Sequence, residues 1–149
     1  MPKEKDLCQI SLKLLLKNKR GEILALKAVP HGSYAGFYDL PGGRIDVDEF
    51  KTDLADIIAR EVAEELGGVQ FKLSSKVVAV GRHIIPSSLT KNGKDVHVLY
   101  LFFEAKYLGG EIKTSAEHTG FAWLDLKKIK PAKYFTSGIL EGVRMYLNK

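Results

Sequence analysis

The chain has 149 residues of ordinary composition, enough for one domain with a real core, which excludes disordered, fibrous and repeat classes. Its formal charge of +5 favours anionic ligands such as nucleotides, while dispersed Lys and Arg with no arginine-rich run argue against a nucleic-acid module. The single Cys8 excludes an internal disulfide, no apolar run is long enough to span a membrane, and the charged start lacks a signal peptide's apolar core, so a cytoplasmic location is expected.

Residues 7–16 read as a strand, because Ile10, Leu12 and Leu14 alternate with Gln9, Ser11 and Lys13. Residues 17–21 read as a polar turn ending in glycine, and residues 22–29 as the returning strand, which predicts a hairpin. The loop 30–36 leads directly into a short β-like run, 37–40, and then into Pro41-Gly42-Gly43. Two glycines permit a sharp turn that exposes backbone amides and carbonyls. A site built on that turn would have the loop beside it. His31 is then a candidate phosphate contact, and Tyr34 and Phe37 are candidate rings for stacking on a base; ordinary loop packing is the alternative.

Residues 54–66 contain no Pro or Gly and are rich in Ala, Leu, Ile and Glu, which predicts a helix. Thr52 is the expected cap, Asp53 and Asp56 lie where the helix dipole favours anions, and Gly67 and Gly68 supply the stop. At about 100° per residue, Ala55, Ile58, Ala59, Val62 and Leu66 share one face. Glu61, Glu64 and Glu65 fall on a neighbouring stripe, where like charges destabilise by roughly 0.2–0.5 kcal/mol per pair. A divalent cation removes that repulsion, since hard cations such as Mg²⁺ take oxygen ligands. A solvated acidic face is the alternative.

Residues 69–85 read as extended structure with a break near Ser74-Ser75, and Arg82 and His83 near its end are candidates to face a ligand. Residues 86–95 form a polar loop with Asn92-Gly93 as its turn signal, and residues 96–105 read as a central strand. Glu104 is a candidate further metal carboxylate, or a solvated strand end. Gly109-Gly110 marks another turn, and Ser115-Ala116-Glu117-His118 precedes a strand over 120–124 that carries Trp123. Residues 125–130 are expected to form a short helical turn, and 136–147 an amphipathic helix with Ile139, Val143, Tyr146 and Leu147 on one face. This order of elements predicts one α/β domain, 1–149, with helices on both sides of a mixed sheet.

Gly43, Glu49 and the run Arg60-Glu61-Val62-Ala63-Glu64-Glu65-Leu66-Gly67 together resemble the box of the Nudix family, G-x5-E-x7-R-E-U-x-E-E-x-G-U, with U a bulky apolar residue. Gly43 matches the first glycine, Glu49 has the right spacing after it, and the second half matches in order. There are two departures. Ten residues instead of seven separate Glu49 from Arg60, which puts Thr52 where the pattern has its first glutamate, and Gly68 stands at the final apolar position. Either Glu49 reaches the site from a longer loop, or that carboxylate is missing.

The resemblance covers nearly the whole chain in element order. It implies an α/β/α sandwich and metal-dependent hydrolysis of a phosphoanhydride bond in a nucleoside diphosphate linked to a group X. Such hydrolysis requires neutralised phosphate charge, an aimed and activated water, and a stabilised leaving phosphate. By resemblance, Gly43, Glu61, Glu64 and Glu65 would hold Mg²⁺ or Mn²⁺, Gly43 through its carbonyl. Arg60 would pair with a box carboxylate and fix its orientation. Glu61 is the first candidate for the base, and Glu117, on a late loop that supplies a base or extra ligand in some members, is the second. His118 is read as holding that loop by a hydrogen bond, with metal ligation as the alternative. Arg44, beside the glycine turn, is a candidate phosphate contact, and Arg82, Tyr34 and Phe37 complete the expected substrate-binding set. Compactness favours a nucleoside triphosphate or dinucleotide-like substrate, with a nucleotide sugar next, handled by a monomer or homodimer. A non-catalytic nucleotide sensor and an RNA-binding or cap-processing module are the alternatives, the latter revealed by salt-dependent RNA binding.

Overall fold

The structure is a computed structural model that describes residues 2–148. Strand β1 (Gln9–Lys17) points Leu12, Leu14 and Leu16 to one side and Ser11, Lys13 and Leu15 to the other, and all six are buried. The polar positions Ser11 and Lys13 therefore mark an interior site, because β1 lies mid-sheet with a helix over each face. Strand β2 (Ile23–Ala28) follows the turn, but the expected hairpin is held only at its root, where Lys17 pairs with Ile23. Beyond that pair the two strands part. On its far side β1 runs parallel to β6 (Val96–Gly109), and β6 pairs antiparallel with the edge strand β5 (Gln70–Ile85). Strand β2 pairs instead with β7 (His118–Leu124).

The wedge between the parting strands is filled by β3 (Tyr38–Asp39), which pairs with β2, and β4 (Gly42–Arg44), which pairs with β1. The Leu40-Pro41 corner joins them, and the Leu14 N–H donates to the Pro41 carbonyl at 2.8 Å. Gly42 and Gly43 are thus strand residues lying against Leu12 and Lys13. Gly42 has φ +138°, and a Cβ there would collide with the Leu12 carbonyl, so only glycine permits this approach.

Helix α1 (Leu54–Leu66) packs Ile57, Ile58, Val62 and Leu66 onto the face that carries Leu12, Leu14, Leu24, Leu26 and Phe103. Two expectations for this helix need correction. Ala55 and Ala59 are exposed, and Glu65 takes an interior position in their place. Thr52 does not cap the helix; Asp53 stands at the N-cap, without a side-chain bond. Gly67, at φ +78°, closes the helix by donating to the Ala63 carbonyl at 3.2 Å, as expected of a C-terminal glycine.

Residues 125–130 form a hydrogen-bonded turn, not a helical one, and the helical turn comes later as α2 (Pro131–Tyr134), where Pro131 presets the first helical position. Helix α3 (Ser137–Leu147) covers the second face with Ile139, Val143 and Tyr146 against Tyr100, Phe102 and Phe135. Its glycines let it sit close: a Cβ on Gly142 would overlap the Phe102 ring. Strand β1 starts later than expected, with Leu7 exposed; β6 runs on to Gly109; and β5 changes register between Leu73 and Val77, at the expected serine break. The result is a seven-stranded mixed sheet between helices, the α/β/α sandwich expected. Among the described residues no helix is long and apolar enough to cross a membrane.

Candidate active site

Strand β4 and helix α1 meet at the wedge, and a cleft of about 990 Å³ opens there, lined by Gly42, Gly43, Arg44, Arg60, Glu61, Glu64 and Glu117. Gly43 lies directly on the Glu61 side chain; a Cβ would come 2.5 Å from the carboxyl carbon. Glycine at this position is what allows the carboxylate to pack against the strand backbone. One turn further along α1, Glu65 points inward, and its Oε1 accepts the Gly42 N–H at 2.9 Å. Glu64 stays mostly exposed at the mouth.

Glu49 does reach this assembly. The residues after β4 fold into a single 3-10 turn, Val47–Glu49, in which the Asp46 N–H donates to Glu49 Oε1 at 2.9 Å. The longer loop follows Glu49: the Thr52 N–H donates to the Glu49 carbonyl at 2.9 Å, and the turn this closes leads into α1 with Glu49 beside it. Arg60 then donates from Nε to Glu49 Oε2 at 2.8 Å and from Nη2 to Oε1 at 2.6 Å. Its Nη1 serves Glu61 at 3.0 Å and Glu64 at 3.3 Å. One guanidinium thus ties three carboxylates, and the Arg60 hydrogen bonds hold Glu49 below the usual carboxylate range. Glu61 moves the other way, pushed up by burial against the pull of Arg60. Burial pushes Glu65 up to about 7, although Lys13 and the Gly42 N–H oppose it.

Beneath the cleft lies a buried ion pair. Lys13, on β1, is 3.0 Å from Asp39, on β3. Burial works against both charges, but Lys13, His118 and the Leu40 N–H hold Asp39 down at about 2, and Asp39 and Glu65 keep Lys13 charged. The loop ahead of β7 adds Glu117 and His118. Ligand atoms of Glu65, Glu117 and His118 all lie within 4.8 Å of one another. His118 Nδ1 is 3.6 Å from Glu65 Oε2 and has no hydrogen-bond partner among the described residues. Glu61, Glu64 and Glu117 on the cleft with Gly43 supply oxygen donors of the kind a hard divalent cation takes, while the group close enough to share one ion is Glu65, Glu117 and His118.

The other sequence candidates divide. Arg44 is exposed, lines the cleft and donates to Gln9 Oε1 at 2.8 Å. Tyr34 is buried, with its hydroxyl 3.0 Å from that of Tyr100, and it lines a small cavity with Asp39, Glu65, Glu117 and His118. Phe37 is half-buried and lines neither cavity, and His31 is exposed. Arg82 is not brought to the carboxylates. It sits on the edge strand beyond β6, where it pairs with Glu141 of α3 at 2.8 Å. His83 bonds Ser137 and Ser33 through its two ring nitrogens. Glu104 points to the α3 side of the sheet, away from α1, and engages Lys17 at 3.2 Å and the Tyr146 hydroxyl.

Sequence reasoning missed Lys13 and Asp39. The available signal was a lysine between Leu12 and Leu14 in an otherwise apolar run. It also missed Val47 and Phe50, exposed apolar residues on either side of Glu49 that line the cleft.

The NUDIX domain family matches residues 9–141, from the start of β1 into α3. The chain belongs to the Nudix hydrolase family. The geometry of its Nudix box is the one described above, with Glu49 paired to Arg60 across the longer loop. Solved structures share the Nudix fold at low identity. A MutT protein from Methanosarcina mazei has TM-score 0.69 and 24% identity, over 98% of this chain and 97% of that one. An ADP-ribose pyrophosphatase from Streptococcus suis has TM-score 0.63 and 21% identity, over 95% and 91%. A C. elegans Ap4A hydrolase has TM-score 0.60 and 24% identity, over 94% and 96%. No curated protein sequence matches the chain significantly.

Proposed function

We propose that this Nudix protein hydrolyses a phosphoanhydride bond in a nucleoside diphosphate linked to a group X. A nucleoside triphosphate or dinucleotide-like substrate is favoured, with a nucleotide sugar next. The observation that carries this reading is the convergence of Gly43, Glu61, Glu64 and Glu117 on one cleft, with Glu65 behind them and Arg60 tied to Glu49. A nucleotide-binding domain without catalysis has no need for that many carboxylates held so closely. The solved relatives are named for nucleotide substrates of several kinds, which supports the class and leaves X open.

Glu61, Glu64, Glu65 and the Gly43 carbonyl would hold Mg²⁺ or Mn²⁺, which when bound supplies charge neutralisation for the phosphate oxygens and a more acidic water. Arg60 keeps the carboxylates oriented, and Arg44 at the cleft wall meets a phosphate. Glu61, half-buried and inclined to take a proton, accepts one from the attacking water, with Glu117 as the second candidate. The water oxygen bonds to phosphorus, the anhydride P–O bond breaks, and the electron pair leaves on the departing phosphate.

The test is phosphate release from nucleoside triphosphates, nucleotide sugars and dinucleoside polyphosphates, with Mg²⁺ or Mn²⁺ and a coupled phosphatase. Metal-dependent release that Glu65→Gln abolishes is expected. Tight nucleotide binding with no release from any member of the panel would overturn the reading.

A further inference from the structure

We propose that His118 is a nitrogen ligand in a metal position formed with Glu65 and Glu117, and that this position selects a first-row transition ion such as Mn²⁺ over Mg²⁺. The proposal rests on the metal-dependent reading above and deepens it. Its starting point is an orphan. His118 has a side chain only 7% exposed, and among the described residues its Nδ1 is the buried side-chain polar atom that lacks a hydrogen-bond partner. Buried polar groups in native proteins are nearly always satisfied, and an exception calls for a cause such as an ion. Glu65 Oε2 lies 3.6 Å away, too far for a hydrogen bond. That separation is, however, the span of two donors that share one cation, since ligand bonds of about 2.1 Å at ordinary angles put two donors about 3.0–3.6 Å apart.

The third donor is in place. Glu117 precedes His118 in the chain, and its carboxylate lies within the same 4.8 Å group. Asp39 lies against the same imidazole. A carboxylate behind a histidine sets the tautomer of metal-ligating imidazoles and strengthens them as donors. Nδ1 is left 3.6 Å from Glu65 Oε2, with Glu117 in the same group. A carboxylate-only site suits Mg²⁺, whereas an imidazole nitrogen shifts preference toward Mn²⁺, Co²⁺ and their neighbours.

The experiment uses the full chain and Mn²⁺ alone. Electron spin-echo measurements on the Mn²⁺ complex are expected to show coupling to one directly bound imidazole nitrogen. In His118→Gln that coupling should vanish and Mn²⁺ affinity should fall by at least about tenfold, the lower end of what even outer-shell changes cost. Mg²⁺ affinity, measured by calorimetry, should stay near wild type in the same variant. Absence of bound nitrogen in the wild-type complex would overturn the proposal, as would a coupling that persists in His118→Gln. Should His118→Gln fail to fold, the wild-type spectrum decides alone. Nitrogen coupling without hydrolysis of any nucleotide would support this assignment while ending the catalytic one.

Discussion

Glu49 stands three residues further from Arg60 than the family pattern allows, yet its carboxylate receives both the Nε and the Nη2 of that arginine, at 2.8 and 2.6 Å. The fork matters as much as the charge. A guanidinium reaches Glu49, Glu61 and Glu64 at once because its donors diverge in a plane, whereas an ammonium is a point charge on a flexible stem. Arg60 is engaged with the carboxylates of the box, so in the proposed reaction it is a positioning residue. Arg60→Lys is therefore expected to lower kcat by about 10–100-fold, in the range of lost outer-shell support. KM should change little, and the loss should shrink at saturating metal. Steady-state kinetics across a Mg²⁺ series measures this; unchanged kcat at every concentration would refute it.

Among the elements, α1 and α3 are fixed to the sheet by different means. Helix α1 buries a conventional arc of Ile57, Ile58, Val62 and Leu66 and turns Glu65 inward beside them, because Gly42 offers it a backbone N–H. Helix α3 depends on close approach through Gly138 and Gly142, and it also covers the sheet edge. Glu141 accepts the Arg82 N–H at 2.8 Å, and Met145 sulfur lies 3.4 Å from the Val80 N–H, so edge groups of β5 that invite strand pairing are engaged. Gly142→Ala puts a methyl group into the Phe102 ring. Overpacking of this kind costs about 1–3 kcal/mol. The urea midpoint should fall accordingly, while turnover per folded molecule stays near wild type, because α3 and the carboxylate cleft occupy opposite faces of the sheet.

For the whole molecule, the decisive feature is the divergence of β1 and β2. It opens the wedge that holds the cleft, and the Lys13–Asp39 pair bridges its two sides, β1 to β3. The pair makes stability depend on acid. Asp39 is held at about 2 against an ordinary value of 3.8. A depressed carboxyl contributes stability that is complete above its unfolded pKa and is lost as pH falls through the folded one. Its share, on the order of 2 kcal/mol, should therefore be present at neutral pH and disappear between about pH 4 and pH 2. Urea unfolding over pH 2–6 measures the drop, and in Asp39→Asn this limb should flatten. That variant also leaves Lys13 buried without its partner, so it should be less stable than wild type at pH 7.

Local chemistry was enough to read much of this from the chain. The α/β/α order, α1 with its glycine stop, α3 with its apolar face, and the Nudix-box run from Gly43 to Glu65 all rest on periodicity, glycine conformation and the spacing of carboxylates within one helix. Those are short-range properties that each segment carries with it. What tertiary structure alone decided involves partners far apart in sequence. Whether Glu49 was lost or retained depended on how a loop folds back onto Arg60. Arg82 and Glu104 went to other partners because strand position and side, not residue type, set which face they see. Lys13, read only as a polar position alternating with Leu12 and Leu14, became an interior cation only once β6, α1 and α3 covered both faces of its strand. The meeting of Glu65, Glu117 and His118 joins a helix to a strand some fifty residues later. No local pattern encodes that contact, because it exists only where β2 leaves β1 and carries β7 with it.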